Sequence, residues 1–198
     1  MAGRDRRTIK TTRAILGEVL DEMQVKKFNQ LTISGICRAL DISRRTFYLH
    51  FSCIEDVFKL LFEEINAPLY AGFDALQRQH AGQRPDDVQL VREIFNLINA
   101  TIERNRDYLT RIAIEPSYGS IQMMHVNLMK DMIMQYLRKT PLESRMRKVY
   151  LDYFISGILE LYMQWYRGVS ALSLDDIRDF ACSIIQIDME NLPMSAPE

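Results

Sequence analysis

Apolar residues recur at intervals of three and four along almost the whole chain. The residues that would break such a rhythm are scarce, with eight glycines and six prolines among 198 positions. A side-chain period near 3.6 belongs to the α-helix, so the pattern predicts an all-α protein. Ile15, Leu16, Val19, Leu20 and Met23 share one face of a first helix expected over 8–25. A short helix should follow, capped by Thr32 and turning Ile33, Ile36, Cys37 and Leu40 inward. Asp41 and Ile42 then make a tight connection, and Ser43 can cap a third helix over 43–50. Ser52-Cys53-Ile54-Glu55 has the S-x-x-E form of a capping box, opening a fourth helix that carries Val57, Phe58, Leu61, Phe62 and Ile65. Pro68 lacks an amide hydrogen and is expected to end or kink that helix.

Beyond a polar break at 80–85 the pattern predicts helices near 86–105, 106–114, 120–138 and 142–167. Gly168 stops the last of these, and Ser173-Leu174-Asp175-Asp176 caps a final one. The length allows two modest domains, placed at 8–68 and 69–191. Cys37, Cys53 and Cys182 form neither an even disulfide framework nor a metal-binding spacing, which suits a reducing cytoplasm. No apolar run approaches the roughly 20 residues that cross a bilayer, and no secretory h-region is present, so no membrane partner is expected. His50, His80 and His125 stand apart from any catalytic or metal-ligand pattern. The chain therefore reads as a non-enzyme needing no cofactor and no metal.

The net charge of −1 conceals an asymmetry. Residues 1–51 hold ten Lys/Arg against five Asp/Glu, a net of +5, and the remainder carries −6. A basic head on an acidic body suits a partner made of phosphates. Two short helices joined by a tight turn, the second rich in arginine, form a helix-turn-helix, and the segment DISRRTFYLHF (41–51) would be its reading helix. Phe47 and Phe51 fall on one face, whereas Arg45 and Leu49 point the other way, flanked by Thr46 and Tyr48. A guanidinium of Arg44 or Arg45 can bond guanine O6 and N7 together, while Tyr48 and His50 can reach phosphates or a thymine methyl. With the caps Thr32 and Ser43, the candidate DNA contacts are Arg44, Arg45, Thr46, Tyr48, Leu49 and His50. Asp41 sits where the turn needs a left-handed backbone.

The block TISGICRALDISRRTFYLHFSCIEDVF resembles the helix-turn-helix of the TetR family. Thr32, Ile36, Ile42, Ser43, Thr46, Tyr48, His50, Phe51 and Glu55 fall at that family's spacing. The resemblance implies nine or ten helices, a homodimer built on the last two, a small-molecule pocket in the C-terminal domain, and repression at a palindromic double-stranded DNA operator. It also implies base contacts at Arg44, Arg45 and Tyr48 and phosphate contacts at Thr46, Tyr48 and His50. Three positions depart from the family string. Asp41 replaces the turn glycine, Gly35 replaces a helix-favouring residue, and Ile54 replaces a lysine that anchors a phosphate. Losing that lysine should make the salt dependence shallower by about one unit of slope per subunit. Tyr153-Phe154-Ile155-Ser156-Gly157, with Trp165, Gly168 and Ser173 to Ile177, resembles the DhaS-type subgroup, in which a protein co-activator is known. A head that binds protein instead of DNA is thus the alternative.

Seven of the eleven methionines lie between residues 120 and 165. Methionine adapts to irregular partners, and with neighbouring aromatics it can line a cavity for an apolar or aromatic effector, although the same residues also make ordinary cores. The candidate lining is Phe95, Ile98, Tyr108, Met124, Leu128, Met132, Tyr153 and Tyr162. Phe154, Ile158, Leu161 and Trp165, then Ile177, Phe180 and Ile184, repeat at helical spacing on the last two helices. They are candidates for a homodimer seam or for internal packing.

Overall fold

The computed structural model describes residues 2–80, 87–137 and 144–191, with side chains for 6–80, 88–131, 152–184 and 186. Among the described residues there are nine α-helices, two 3-10 turns and no strand, so the all-α expectation holds. The helices are α1 (Ala2–Met23), α2 (Ile33–Ala39), α3 (Arg44–Tyr48), α4 (Ile54–Gln79), α5 (Asp87–Arg104), α6 (Arg106–Ile114), α7 (Gly119–Leu137), α8 (Ser144–Tyr166) and α9 (Leu174–Asn191). The chain divides into two compact units, residues 1–67 with 105–128 and residues 68–104 with 129–198. None of the described helices is long and apolar enough to cross a membrane.

In the first unit the periodic positions of α1, namely Ile15, Leu16, Val19 and Met23, are buried, as are Ile36, Phe47, Val57, Phe58 and Phe62. Residues 105–128 join this unit because they satisfy backbone groups that the end of α1 leaves open. A helix ends with carbonyls that have no partner in the helix, and a guanidinium suits both their lone pairs and the negative end of the dipole. Arg111 Nε donates to the Met23 carbonyl at 3.1 Å, and its Nη2 donates to that of Lys26 at 3.3 Å. The Tyr118 hydroxyl donates to the same Lys26 oxygen at 3.1 Å, and the Phe28 amide donates to Ser117 Oγ at 3.0 Å. Around these bonds Phe28, Phe58 and Tyr118 pack in a triad with ring centres 5.6 to 6.0 Å apart. Burial pushes the Tyr118 phenol up to about 12, which keeps it a donor.

Helix α4 starts one residue later than the S-x-x-E pattern implies. With Ile54 as its first residue, the third is Asp56, and it is Asp56 Oδ2 that accepts from the Ser52 amide, at 3.0 Å. Lys59 holds the other oxygen at 2.8 Å, and these contacts keep the Asp56 carboxyl below its ordinary range. Pro68 does not end the helix, which continues to Gln79. The proline is exposed, so water can serve the Glu64 carbonyl that has lost its helical donor.

In the second unit α9 packs along α5 and touches α8. Ile94, Phe95, Ile98, Phe154, Ile158, Tyr162, Ile177 and Ala181 fill the core. A buried chain of hydrogen bonds crosses it: Tyr162 donates to Asn99 Oδ1 at 2.6 Å, and Asn99 Nδ2 donates to the Leu174 carbonyl at 2.9 Å. That chain ties α8, α5 and the start of α9 together. Gly72 marks where α4 meets α5, since a Cβ there would lie 2.8 Å from Leu97 Cδ1. Gly168 stops α8 with φ of 65°, and Ser173 and Asp176 form the expected capping box on α9 at 2.8 and 3.1 Å.

Candidate nucleic-acid interface

Helix α3 is positioned by local chemistry on both sides. Thr32 caps α2, its Oγ1 accepting from the Gly35 amide at 3.0 Å, and Ser43 caps α3, its Oγ accepting from the Thr46 amide at 3.0 Å. The turn between them passes through Asp41 at φ of 50°, the left-handed region that aspartate tolerates better than most side chains. The regular helix is shorter than the 43–50 expected. It covers Arg44–Tyr48, with Leu49 as its C-cap and His50 in a tightened last turn whose amide bonds the Phe47 carbonyl at 2.9 Å.

Its two faces differ as the wheel implies. Phe47 and Phe51 are buried with ring centres 5.9 Å apart, while Leu49 is 75% and Tyr48 50% exposed. Arg44 and Arg45 are exposed, and Arg45 makes no ion pair among the described residues. Tyr48 stands edge-on to Phe47 at 5.9 Å, and Arg44 Nη2 lies 3.5 Å from the Tyr48 hydroxyl, a long contact that aligns more than it binds. The Thr46 hydroxyl is shared with Ser43 Oγ at 2.9 Å. His50 is held from outside the motif, with Nδ1 3.0 Å from Thr12 Oγ1 on α1. This leaves Nε2 as the ring atom free to meet a phosphate.

Beside α3 lies an open groove of about 430 Å³ whose lining includes Phe28, Leu31, Thr32, Arg44, Ile54 and Glu55. Ile54, at the position where the family string has a lysine, therefore lines the same groove as Arg44, and so does Glu55. Among the described residues no group of His, Cys, Asp and Glu is arranged to hold a metal ion.

No protein-family model matches the chain, and no curated protein sequence matches it. Solved structures do. A putative TetR-family transcriptional regulator from Syntrophomonas wolfei superposes with a TM-score of 0.64 over 94% of this chain and 98% of its own, at 14% identity. The Thermus thermophilus FadR repressor, solved in complex with lauroyl-CoA, gives 0.56 over 94% and 98% at 18% identity. The fold is TetR-like. A protein described as dihydroxyacetone kinase operon activator DhaS has the same TetR-like fold, at 0.55 over 92% and 97% and 19% identity.

Within this TetR-like frame the candidate effector residues fall in both units. Tyr108, Met124 and Leu128 lie in the first; Phe95, Ile98, Tyr153 and Tyr162 lie in the second. Phe95 and Tyr162 stack with centres 6.5 Å apart and Ile98 is buried, but the Tyr162 hydroxyl is already bonded to Asn99. Tyr153 is 79% exposed, so it lines no interior. The Met132 side chain lies outside the described residues. Of the candidate seam, Phe154, Ile158 and Ile177 are buried in the core of the second unit and present little surface to another chain. Their helical spacing reflects the core instead. Leu161, Trp165 and Ile184 are half-buried, and Phe180 is 51% exposed.

Thr12, Asn66 and His125 escaped the motif reading. Each is a polar residue in an apolar register: Thr12 in 12-16-19-23 of α1, Asn66 in 58-62-66-69 of α4, and His125 in 121-125-129 of α7.

Proposed function

We propose that this chain is a homodimeric, ligand-responsive transcription regulator, specifically a repressor that reads a palindromic operator through α3. Residues 8–68 form its DNA-reading head, and 69–191 form the regulatory and dimerising part. The observation that carries the reading is the outward face of α3, where Arg44, Arg45 and Tyr48 stand exposed on a short helix fixed by Ser43 and Phe47. One such helix reads few bases. Two related by a two-fold axis, with centres about 34–36 Å apart, would read adjacent major grooves. Tyr153 and Phe180, the large apolar groups exposed on α8 and α9 among the described residues, supply a surface for self-association. An effector releases DNA only if it binds the released arrangement more tightly than the bound one. The fold likeness to a repressor solved with lauroyl-CoA supports an apolar effector.

The test is selection of bound duplexes from a random pool at low salt. A palindrome should enrich, and Arg45→Ala should relax choice at one base pair, costing about 1–3 kcal/mol against the preferred base. Equal loss on all sequences would make Arg45 a phosphate contact. Sedimentation should show a dimer in place of the 23.2 kDa protomer at micromolar concentration. The second reading is a head that binds protein, favoured by the groove in which Ile54 and Glu55 line the wall beside Arg44. It takes over if no duplex enriches.

A further inference from the structure

The first unit contains a buried acceptor with nothing to accept from. Asn66 is 3% exposed, and its Oδ1 has no hydrogen-bond partner. Leaving such an atom unpaired costs about 1–3 kcal/mol, so a native interior that keeps one calls for an explanation. One turn earlier on the same face of α4, Phe62 is fully buried, and the His125 ring of α7 stacks on it with centres 4.4 Å apart and planes 15° apart. Among the described residues no partner reaches either imidazole nitrogen. Burial lowers the His125 pKa from 6.5 to about 4.

These residues offer a defined chemistry. Asn66 Oδ1 accepts, a neutral imidazole provides one donor and one acceptor, and Phe62 supplies an apolar wall. We propose that Asn66, Phe62 and His125 form a subsite for the polar end of an uncharged effector, a hydroxyl that donates to Asn66 Oδ1 and accepts from the His125 ring N–H. A carboxylate or ammonium group entering this buried site would carry a large desolvation cost, which favours an uncharged polar end. This deepens, and rests on, the reading of the chain as a ligand-responsive regulator.

The experiment compares benzyl alcohol with toluene, the same ring without the hydroxyl, on the full chain without DNA. Titrations follow the ¹⁵N signals of His125 and the thermal midpoint. Benzyl alcohol should shift the His125 signals saturably and bind about tenfold more tightly than toluene, the ratio that one net hydrogen bond supplies. Asn66→Leu should remove most of the preference for the alcohol, leaving only what the His125 N–H supplies. Should that variant not fold, His125→Phe serves in its place and should reduce the alcohol preference while keeping the stack. Unmoved His125 signals, or an undiminished preference for the alcohol in Asn66→Leu, would overturn the proposal and leave an interior filled by ordered water. Because no DNA is present, these outcomes are independent of the duplex selection that tests the regulator reading.

Discussion

The two units differ in how fully their buried polar groups are satisfied, although the Tyr118 hydroxyl of the first is bonded to the Lys26 carbonyl. In the second, Asn99 is closed on both sides, accepting from Tyr162 at 2.6 Å and donating to the Leu174 carbonyl at 2.9 Å, and Thr101 bonds the Leu97 carbonyl at 2.9 Å. In the first, among the described residues, Asn66 Oδ1 and Glu22 Oε2 are buried without partners, and the His125 ring stacks without a hydrogen bond. A closed network fixes three helices in one arrangement, whereas an unpaired group is held by packing against its own preference for water. The second interior therefore behaves as scaffold, and the first stores a cost that a bound molecule could remove.

The largest expected effect tests the first interior by acid. His125 titrates at about 4 when folded and near its ordinary 6.5 when unfolded, so between those values the unfolded chain binds more protons. The stability from keeping the ring neutral is complete above pH 6.5 and lost as the pH falls toward 4, amounting to about 3 kcal/mol. Urea midpoints of the wild type should drop over this window, and His125→Phe should lose much less. The carboxylates of Asp56, Glu93, Asp176 and Asp179, held low by their partners, also lose stability in acid, but equally in both proteins. Parallel curves would assign the acid sensitivity to those carboxylates and remove His125 from it.

Next in size is a break in the closed network. Tyr162→Phe removes one oxygen and leaves Asn99 Oδ1 buried without its donor, which should cost about 1–3 kcal/mol. Asn66→Leu in the first unit removes an acceptor that is already unpaired, and in the free protein it should be neutral or stabilising. In denaturant melts Tyr162→Phe should lower the midpoint and Asn66→Leu should leave it unchanged or raise it. If both destabilise alike, the contrast between the interiors is one of geometry alone.

The same contrast explains what could be read from the sequence. Thr32, Ser43 and Asp41 act within three residues of themselves, so their caps and left-handed turn were legible as local chemistry, as was the burial of Phe47 and Phe51. Periodicity located α8 and α9, but a helix buried in its own protomer and one buried against a second copy share a single spacing. That ambiguity left Phe154, Ile158 and Ile177 as candidates for a seam or for internal packing, and all three are buried within the protomer. Nor does any local signal join Arg111 to the carbonyls of Met23 and Lys26, 88 and 85 residues away, the contacts that draw 105–128 into the first unit. Asn66 and His125 were visible only as polar residues in apolar registers, and what they meet depends on how two distant helices cross.

The smallest expected effect concerns another such long-range contact, made across 38 residues between Thr12 and His50. If Thr12 Oγ1 holds Nδ1, the ring is fixed with Nε2 outward, ready to donate to a phosphate; without it the ring turns freely and pays that entropy on binding. Thr12→Val keeps the shape and removes the bond. It should weaken operator binding by about 1 kcal/mol, near fivefold, and equally on specific and random duplexes, because phosphate contacts position without reading sequence. Thr12→Ser retains a hydroxyl and should restore most of the loss, which a purely structural role for the threonine methyl would not allow. Wild-type affinity in Thr12→Val would show that α1 contributes nothing to the reading surface and that α3 is oriented by its own caps and by Phe47 alone.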